Sequence, residues 1–255
     1  MVKNLYWLYS KSKKNPILKA LWHLIDSFNI FSNYQITRIV KKSAPDVIHT
    51  NNLAGFSVNI WKIARNMKIP VVHTLRDYYL SCPRSTRYKN NAICEKPCFD
   101  CSFYSIPKKK LSKNVDTVIG ISQFILNEHL KEGYFSKTKL KKIIGNAYTS
   151  PTSTLANRSS SEDYKVGYIG RIEQAKGIEV LLKAFSELEN PNLKLLVAGS
   201  GNLQYLQYLQ KKYKDTRVQY LGHVEPGAFY VDIDLLVVPS LWNEPFGRVV
   251  IEALS

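Results

Sequence analysis

Short apolar strand patterns alternate with helix patterns along this chain, and this alternation constrains the fold more than any other feature. Residues 166–169 form one strand pattern, and apolar residues at helical spacing follow it from Ile178 to Leu188. Further short apolar runs that end in polar residues lie at residues 45–52, 69–79, 118–124, 143–146 and 195–202. Strands that alternate with helices predict parallel sheets covered by helices, which is the α/β class.

The length and one polar segment predict two domains rather than one. The chain has 255 residues, of which 45% are hydrophobic, and this is enough for two modest cores. Residues 149–163 are rich in Ser and Thr, contain Pro and lack apolar periodicity, so they read as an interdomain connection. We therefore expect an N-terminal domain over residues 1–150, a linker over 151–163 and a C-terminal domain over 164–255.

A pair of carboxylates near the end of the chain is the first candidate for a binding site. Residues 234–240 form a buried-strand pattern, and the segment EPFGRVVIE at residues 244–252 follows, with Glu244 and Glu252 at its two ends. Open α/β sheets bind ligands at the carboxyl ends of their strands, and a helix that begins at Gly247 would direct free N–H groups at a diphosphate. Two ordinary solvated glutamates on an amphipathic helix are the alternative.

Four segments of the C-terminal half carry a family resemblance. They are GRIEQAKG at residues 170–177, LLVAGSGN at 195–202, YLGH at 220–223 and the segment at 244–252. In order and spacing they resemble the retaining glycosyltransferases of family 4, which have the GT-B fold. The resemblance implies two Rossmann-like parallel-sheet domains. It also implies that both are incomplete, because residues 1–44 do not match the strand and Gly-rich loop with which the family opens, and the family continues beyond Ser255.

The resemblance assigns roles to individual residues. The donor-binding set binds the diphosphate through Arg171 and Lys176, the sugar through Glu244 and the backbone of Phe246 and Gly247, and the ribose through Glu252, with Gly170 and Gly199 in the same site. Ser122 and Asn146 match positions that line the cleft between the domains. His73 matches the position beside the reacting sugar, although a histidine at a strand end is otherwise more often a structural residue. The expected catalytic set is His73, Arg171, Lys176 and Glu244.

All four cysteines lie within one short segment, with the spacing Cys82-x11-Cys94-x3-Cys98-x2-Cys101. Four thiolates with a terminal Cys-x2-Cys are typical of structural zinc, which orders a loop that lacks a core of its own through a tetrahedral sulfur shell. An iron–sulfur cluster, disulfides and unligated thiols stay open as alternatives, and a reducing compartment disfavours disulfides. We expect the site to shape the acceptor side and to take no part in the chemistry.

Positive charge is concentrated in the first domain. Residues 1–150 carry 25 Lys and Arg against 8 Asp and Glu, a net charge of +17, whereas residues 151–255 carry 11 against 12. Lysine runs such as residues 108–110 and 137–142 are expected to attract an anionic membrane surface or a phosphate-bearing acceptor. Lysines that only keep the chain soluble are the alternative. With no apolar run of spanning length and a poor signal peptide, we expect a cytoplasmic protein that is peripheral at the inner face of the plasma membrane.

The function that the resemblance implies is transfer of a hexose-type sugar from a nucleotide-diphosphate donor to a hydroxyl of a glycan or lipid-linked acceptor, with retention at the anomeric carbon. Such an enzyme is expected to serve bacterial-type cell-surface polysaccharide synthesis and to need no cofactor for catalysis. One alternative is an inactive truncated remnant of such an enzyme. Another is a basic nucleic-acid-binding protein, but no helix-turn-helix, zinc-finger or aromatic RNA-binding motif accompanies the charge, so no nucleic acid partner is expected.

Overall fold

The computed structural model describes residues 16–148 and 163–255, which form two compact units. The first unit comprises the chain up to Arg87 together with residues 94–145, and the second comprises residues 88–93 and the chain from Asn146 onward. Most of the predicted linker lies outside the described residues, so the predicted domain boundaries stay a prediction. Within the two described stretches, no helix combines the length and the apolar composition that crossing a membrane requires.

The first unit alternates short strands with helices. In chain order its elements and the hairpin that interrupts it are α1 (Pro16–Ser27), α2 (Asn33–Ser43), β1 (Ile48–Thr50), α3 (Asn59–Asn66), β2 (Val71–Leu75), the hairpin β3 (Tyr88–Lys89) and β4 (Ala92–Ile93), α4 (Phe99–Leu111), β5 (Thr117–Gly120), α5 (Gln123–Lys131) and β6 (Leu140–Ile143). The sheet has the order β1-β2-β5-β6, and every neighbouring pair is parallel. Polar residues that follow these strands therefore meet at one edge of the sheet.

The core of the first unit lies between α3 and the sheet. Helix α3 buries Trp61 and Ala64 completely, and their spacing of three positions places both on one face of the helix. Strands β2 and β5 bury Val71 and Val118 completely. Their alternating burial pattern is that of strands in which one face carries most of the core contacts.

The second unit repeats the alternation with a second parallel sheet. Its elements are β7 (Tyr164–Ile169), α6 (Ile178–Ser186), β8 (Leu193–Ala198), α7 (Leu203–Lys212), β9 (Val218–Gly222), α8 (Pro226–Asp232), β10 (Leu235–Leu236) and α9 (Arg248–Leu254). The strand order is β10-β7-β8-β9, and all neighbours are parallel. This order places β7 and β8 at the centre of the sheet, so the loops that follow them lie side by side.

Helices cover both faces of the second sheet. Leu195 and Val197 of β8 belong to a cluster with Phe185 of α6, and the cluster also contains a leucine of α7. The alternate residues Leu196 and Ala198 pack with residues that include Phe229 of α8. Successive residues of a strand point to opposite faces, so these two clusters lie on opposite sides of the sheet. The arrangement explains why β8 is an almost continuous apolar run.

The predicted α/β class with parallel, helix-covered sheets is confirmed. The strand pattern at residues 166–169 is part of β7, and the helix predicted from Ile178 is α6. The buried strand predicted over residues 234–240 is wrong in extent and burial, since β10 has two residues and Leu235 is 48% exposed. The physical reason is its position, because among the described residues β10 pairs with a strand on one side only.

Candidate active site

Loops at the carboxyl edge of the second sheet approach one another closely at two glycines. Gly199 follows β8 with a φ of +131°, and a Cβ atom there would lie 1.8 Å from the carbonyl oxygen of Gly170, which follows β7. Gly177 has a φ of +70°, and a Cβ atom there would lie 1.9 Å from the carbonyl oxygen of Pro239. No side chain is compatible with these distances, so glycine is needed for the loops after β7, β8 and β10 to pack together.

Lys176 and Glu244 form an ion pair where two of these loops meet. The Lys176 Nζ atom lies 2.6 Å from the Glu244 Oε1 atom, and the two side chains are 19% and 18% exposed. The Ser240 hydroxyl contacts the same carboxylate oxygen. Burial opposes ionisation of Glu244, but the hydrogen bonds from Lys176 and Ser240 outweigh it and hold the pKa of this carboxyl below its usual range. The structure thus joins two residues that the sequence placed in one donor site.

Arg171 stands at the mouth of the same loop region with an exposed side chain. Its Nη2 atom lies 3.1 Å from the Glu173 Oε1 atom, and its side chain is 65% exposed. The Tyr168 hydroxyl donates to the Arg171 carbonyl oxygen over 2.7 Å and fixes the start of the turn. An exposed ion pair of this kind contributes little, so an anionic ligand can compete with Glu173 for the guanidinium.

Glu252 is more deeply buried than Glu244 and already holds two donors. Its side chain is 4% exposed. The Tyr230 hydroxyl donates to Oε2 over 2.8 Å, and the Arg248 guanidinium contacts Oε1. The helical spacing of four positions to Arg248 could have revealed the second partner, whereas Tyr230 lies on another helix and leaves no local signal. A carboxylate offers about four acceptor sites, so the predicted contact with a ribose requires the remaining lone pairs.

The Phe-Gly turn before α9 has the predicted position but a short helix behind it. Gly247 has a φ of +73° and precedes α9, which spans the seven residues Arg248–Leu254. Phe246 is half-buried. A helix of two turns has only a weak macrodipole, so the binding of a diphosphate falls mainly to Arg171 and Lys176. The roles of Phe246 and Gly247 in holding the donor sugar stay predictions.

His73 lies at the carboxyl end of β2 in the first unit and is 3% exposed. Its Nδ1 atom lies 2.9 Å from the Thr50 hydroxyl, which also accepts a hydrogen bond from the Trp61 indole over 3.1 Å. The imidazole stacks on the Phe135 ring. Burial lowers the pKa of His73 to about 3, so the ring is neutral at neutral pH and carries a single N–H group. These contacts are compatible both with a position beside the reacting sugar and with a purely structural role for His73.

A small cleft beside His73 contains a carboxylate that the site prediction omitted. The cleft is lined by residues that include Asn52, His73, Asp77 and Tyr79. The Asn52 side chain donates to Asp77 Oδ2 over 3.1 Å, and the Tyr79 backbone N–H donates to Oδ1 over 2.7 Å. Burial raises the pKa of Asp77, although the hydrogen bond from the Tyr79 backbone and the charge of Lys108 oppose the shift. Residues that follow β1 and β2 meet here, as a parallel sheet requires.

Ser122 and Asn146 were predicted to line a cleft between the domains. Ser122 is the N-cap of α5, and its hydroxyl accepts a hydrogen bond from the Ile125 backbone N–H over 3.2 Å. This contact satisfies one of the orphan donors of the helix and gives Ser122 a structural role. Asn146 is half-buried and begins the main segment of the second unit. The cleft role of both residues stays a prediction.

Lys108 does not belong to the surface lysines, and this corrects the sequence interpretation of residues 108–110. Its side chain is 2% exposed, and its Nζ atom lies 3.9 Å from the Asp26 carboxylate and 2.9 Å from the Tyr79 carbonyl oxygen. Burial lowers the pKa of Lys108 to about 8, against the charge of Asp26. The ammonium also lies 3.5 Å from the centroid of the Tyr79 ring. Lys109 and Lys110 are exposed, as predicted.

None of the four cysteines, all of which the structure describes, is in a disulfide, and they gather beside α4. Cys82 and Cys101 are buried, whereas Cys94 and Cys98 are half-buried. The sulfur atoms of Cys98 and Cys101 are 3.2 Å apart. Within residues 16–148 and 163–255, no group of three or more His, Cys, Asp or Glu side chains is arranged to hold a metal ion as it stands. The predicted zinc site stays a prediction at this point.

Two models of known families match the chain, and together they cover both units. Residues 12–143 match the model described as Glycosyltransferase Family 4. Residues 153–255 match the model described as Glycosyl transferases group 1. The second match contains the Lys176–Glu244 pair and the Glu252 network, and the first contains His73 and the cysteine segment.

Individual relatives agree with the family models. A protein of Klebsiella pneumoniae described as an uncharacterized 42.6 kDa protein in the cps region is 37% identical over 251 residues, which are 98% of this chain and 66% of that protein. The capsular polysaccharide biosynthesis glycosyltransferase CapM of Staphylococcus aureus is 34% identical over 100 residues, which are 36% of this chain and 26% of that protein. The chain thus spans less than two thirds of the length of either relative.

A solved structure extends the likeness to the fold. Anabaena Alr3699/HepE, determined in complex with UDP and glucose, superposes with a TM-score of 0.63 at 19% identity over 89% of this chain and 62% of that one. Two α/β units with parallel sheets, together with this neighbour, define a protein of the GT-B fold. The chain belongs to the family of the first model, Glycosyltransferase Family 4, and its residues 153–255 match the model of Glycosyl transferases group 1.

Proposed function

We propose that this protein is a retaining glycosyltransferase that moves a hexose-type sugar from a nucleotide-diphosphate donor to a hydroxyl of a glycan or lipid-linked acceptor. The names of two relatives support a place in the synthesis of capsule-type polysaccharide. The complex of the Anabaena neighbour with UDP and glucose supports a uridine nucleotide as the donor carrier. The proposal concerns the whole protein, because the relatives extend beyond the part that this chain matches.

One observation carries the proposal, and it is the contact between Lys176 and Glu244. These residues stand 68 positions apart in the chain, yet their charged atoms lie 2.6 Å apart at the carboxyl edge of a parallel sheet. A cation for a phosphate and an acceptor for sugar hydroxyls are therefore adjacent, as a sugar-phosphate bond requires. The ammonium of a lysine has three donor hydrogens, so Lys176 can keep Glu244 and still contact a diphosphate.

The chemistry follows from the charge that develops on the leaving diphosphate. Arg171 and Lys176 supply positive charge where that negative charge grows, and preorganised donors of this kind contribute about 3 kcal/mol each to the transition state. Glu244 shares its Oε1 atom with Lys176 and Ser240, which suits a residue that positions the sugar rather than one that attacks its anomeric carbon. We therefore assign retention to attack of the acceptor hydroxyl on the face of the leaving group.

His73 contributes a neutral hydrogen-bonding group on the acceptor side in this proposal. Its Nδ1 atom is engaged by Thr50, and its low pKa keeps the ring uncharged across the physiological range. A neutral imidazole can offer one hydrogen bond to a sugar hydroxyl without adding a charge that would oppose the developing oxocarbenium character. His73 is thus a positioning group here and not a general base.

The decisive experiment measures donor hydrolysis and transfer by the purified chain with a panel of UDP-sugars. Lys176→Met is expected to lower the turnover number by about 100-fold or more and to leave donor binding less affected, because its charge acts on the transition state. Lys183→Met, which removes an exposed lysine of α6, is the matched control and is expected to retain full activity. An NMR assignment of the product anomer tests retention.

Three results would contradict this function or the residues assigned to it. A folded chain that neither binds UDP nor cleaves any UDP-sugar would favour the alternative of an inactive remnant. A product with inverted anomeric configuration would exclude retention while leaving the donor site intact. Equal activity of Lys176→Met and Lys183→Met would exclude Lys176 from the chemistry.

Glu252 is assigned to the ribose, and its test separates this role from a structural one. Glu252→Gln is expected to weaken UDP binding by about tenfold, because one charged hydrogen bond to a diol contributes about 1.5–3 kcal/mol. Pyrophosphate has no ribose, so its affinity is expected to stay within a factor of two. A parallel loss of both affinities would show that Glu252 acts through Tyr230 and Arg248 on the fold of the second unit.

The first unit is assigned to a membrane surface that holds a lipid-linked acceptor. Helix α1 exposes Ile17, Leu21 and Leu24 at intervals of four and three positions. Phe28, also exposed, follows directly after the helix, and its backbone N–H donates to the Leu24 carbonyl oxygen over 3.0 Å, so it continues the same stripe. Helix α4 packs beside α1 and exposes Phe99, Phe103 and Ile106 in the same way. Exposed apolar stripes next to lysines are typical of proteins that lie on anionic lipid.

Vesicle binding tests the membrane assignment. The chain is expected to bind vesicles that contain phosphatidylglycerol and not vesicles of phosphatidylcholine alone, with an affinity that falls as salt rises. The double variant Phe99→Glu and Phe103→Glu is expected to lose binding, whereas Val180→Glu, an equally drastic change at an exposed residue of α6, is expected to retain it. Binding that is unchanged in the double variant would exclude these stripes as the lipid surface.

A further inference from the structure

The segment that contains the cysteines has no hydrophobic core to order it. From residue 81 to residue 114, all of which the structure describes, Cys82 and Cys101 are the only buried hydrophobic side chains. Ile93 and Phe99 are exposed. Between residue 81 and the start of α4, the regular structure consists of one hairpin with two residues in each strand, and such a hairpin alone is at most marginally stable. Something other than apolar burial must therefore hold this segment in one conformation.

The sulfur atoms occupy the place that a core would otherwise fill. Cys101 Sγ lies 3.2 Å from Cys98 Sγ, and Cys82 is its other thiol neighbour. Cys94 lines the same small cavity as Cys82 and Cys101. The four cysteines therefore lie close together. The first two approach each other although 11 residues separate them in the sequence.

The local fold explains how each cysteine reaches this place. Cys98 is the N-cap of α4, so Cys101 lies in the first turn of the same helix and on the adjacent face. The hairpin returns the chain after Cys82, and the Cys94 backbone N–H donates to the Arg87 carbonyl oxygen over 2.8 Å. Arg87 is itself fixed by Glu132 at 2.6 Å and by the Ser81 hydroxyl. The convergence therefore rests on a built frame and not on chance proximity.

Cys82 has the surroundings of a thiolate ligand. The backbone N–H groups of Arg84, Thr86 and Arg87 donate to its sulfur atom. Backbone donors to sulfur recur around the cysteine ligands of metal sites, where they spread the negative charge of the thiolate and orient its lone pairs.

We propose that Cys82, Cys94, Cys98 and Cys101 together bind one zinc ion that orders residues 81–101 of this protein. Zinc favours four sulfur ligands at about 2.3 Å in a tetrahedron, which corresponds to sulfur atoms about 3.8 Å apart. The contact of 3.2 Å between Cys98 and Cys101 is shorter, so binding requires these sulfurs to separate by about half an ångström. Since the described side chains as they stand do not form a metal site, zinc binding requires the cysteine side chains to rearrange.

Charge and proton balance agree with the proposal. Each thiol that still carries a proton releases it to solvent when it binds, and four thiolates with Zn²⁺ leave a net charge of −2. Arg87 and Lys96 line the cavity and offset that charge, whereas Glu95 and Glu132 oppose it, and Glu132 is already paired with Arg87. The closed sulfur shell leaves no coordination position for substrate, so the ion is structural and independent of the sugar-transfer proposal.

Metal analysis of the purified full chain tests the proposal. After expression in zinc-supplied medium and gel filtration under reducing conditions, we expect about one zinc per chain by mass spectrometry. Replacement by Co²⁺ is expected to produce the visible absorption bands of a tetrahedral thiolate site. Cys94→Ser removes a half-buried ligand and is expected to lower zinc retention at least tenfold, whereas Ser102→Ala, a change at an exposed residue of α4, is expected to retain the metal.

Three outcomes would overturn the proposal. A folded wild-type chain that contains less than about 0.1 zinc per chain would show that the cysteines are unligated thiols. Bound iron with the absorption of a cluster would replace zinc by an iron–sulfur site. A Cys98–Cys101 disulfide in a digest of chain prepared without reductant would assign the pair to redox chemistry. The zinc content of the wild-type chain decides the matter even where the cysteine variants fail to fold.

Discussion

Replacement of Lys108 by methionine is expected to cost the first unit far more stability than replacement of its exposed neighbour Lys109. The side chains of Lys108 and Asp26 are 2% and 3% exposed, and their charged atoms lie 3.9 Å apart. Lys108 also donates to the Tyr79 carbonyl oxygen and lies over the Tyr79 ring. Methionine has a stem of similar volume, so Lys108→Met removes the charge without opening a large cavity.

The loss of stability in Lys108→Met depends on the groups that remain buried after the charge of Lys108 is removed. At 3.9 Å the attraction between Lys108 and Asp26 is about 4 kcal/mol at the effective dielectric constant of about 20 that suits proteins. Without it, Asp26 stays buried and retains the Gly55 backbone N–H as a donor. Loss of one partner of a buried pair costs about 3–5 kcal/mol, a large share of the roughly 5–15 kcal/mol that stabilises a domain. Asp26→Asn keeps the contacts of Lys108 with Tyr79, so we expect a smaller cost of about 1–3 kcal/mol.

Urea denaturation with hydrogen exchange on peptides from α1 and α4 measures the first unit separately from the second. This separation matters because two units need not unfold in one transition. Lys109→Met, which changes the exposed neighbour, is expected to stay within about 0.5 kcal/mol of the wild type. The double variant Asp26→Asn with Lys108→Met is expected to lose less than the sum of the single variants. A loss of unfolding free energy below about 1 kcal/mol for Lys108→Met would refute the conclusion that the Lys108–Asp26 pair between α4 and α1 stabilises the first unit.

Three further predictions concern single residues. Burial lowers the pKa of His73 to about 3 and that of His129 to about 4, so below pH 6.5 the unfolded chain binds more protons than the folded one. Each histidine then lowers the free energy of unfolding by about 1.4 kcal/mol per pH unit, and this loss is measured by comparing acid unfolding of the wild type with that of His129→Gln. Gly199→Ala is expected to abolish UDP binding in calorimetry, because its Cβ would lie 1.8 Å from the Gly170 carbonyl oxygen; unchanged affinity would contradict the packed loops. Ser122→Ala is expected to lower the stability of the first unit by about 1 kcal/mol through loss of the cap, with UDP binding unchanged.

The strand ends could be predicted because their signals are local, whereas the roles of the site residues stay predictions. Apolar runs of four to six residues that stop at polar residues define β2, β7 and β8, and parallel pairing then places every polar end on one edge of its sheet. The family resemblance placed Lys176 and Glu244 in one donor site, although they stand near opposite ends of a domain. It did not predict their direct contact, because the contact depends on how closely Gly177 lets two loops approach.

The features that the sequence did not reveal depend on tertiary packing. Lys108 stands in a run of three lysines, and nothing local distinguishes the one that is buried from the two that are exposed. The apolar pattern at residues 234–240 predicted a buried strand, but burial of a strand depends on its neighbours on both sides, and β10 has one among the described residues. The partner of Glu252 on α8 is likewise set by the packing of two helices.

Each carboxylate beside the candidate sites already has donors within its own unit. Glu244 holds Lys176 and Ser240, Glu252 holds Tyr230 and Arg248, and Asp77 holds Asn52 and the Tyr79 backbone. A ligand hydroxyl must therefore use a remaining lone pair rather than displace water from a free carboxylate. Such groups are fixed before the ligand arrives, which lowers the cost of ordering them on binding. The same fixation means that a single Glu→Gln substitution removes internal and ligand contacts together. The two contributions are separated by a control ligand that lacks the contacted group, as pyrophosphate does for Glu252, or by double-variant cycles with the donors.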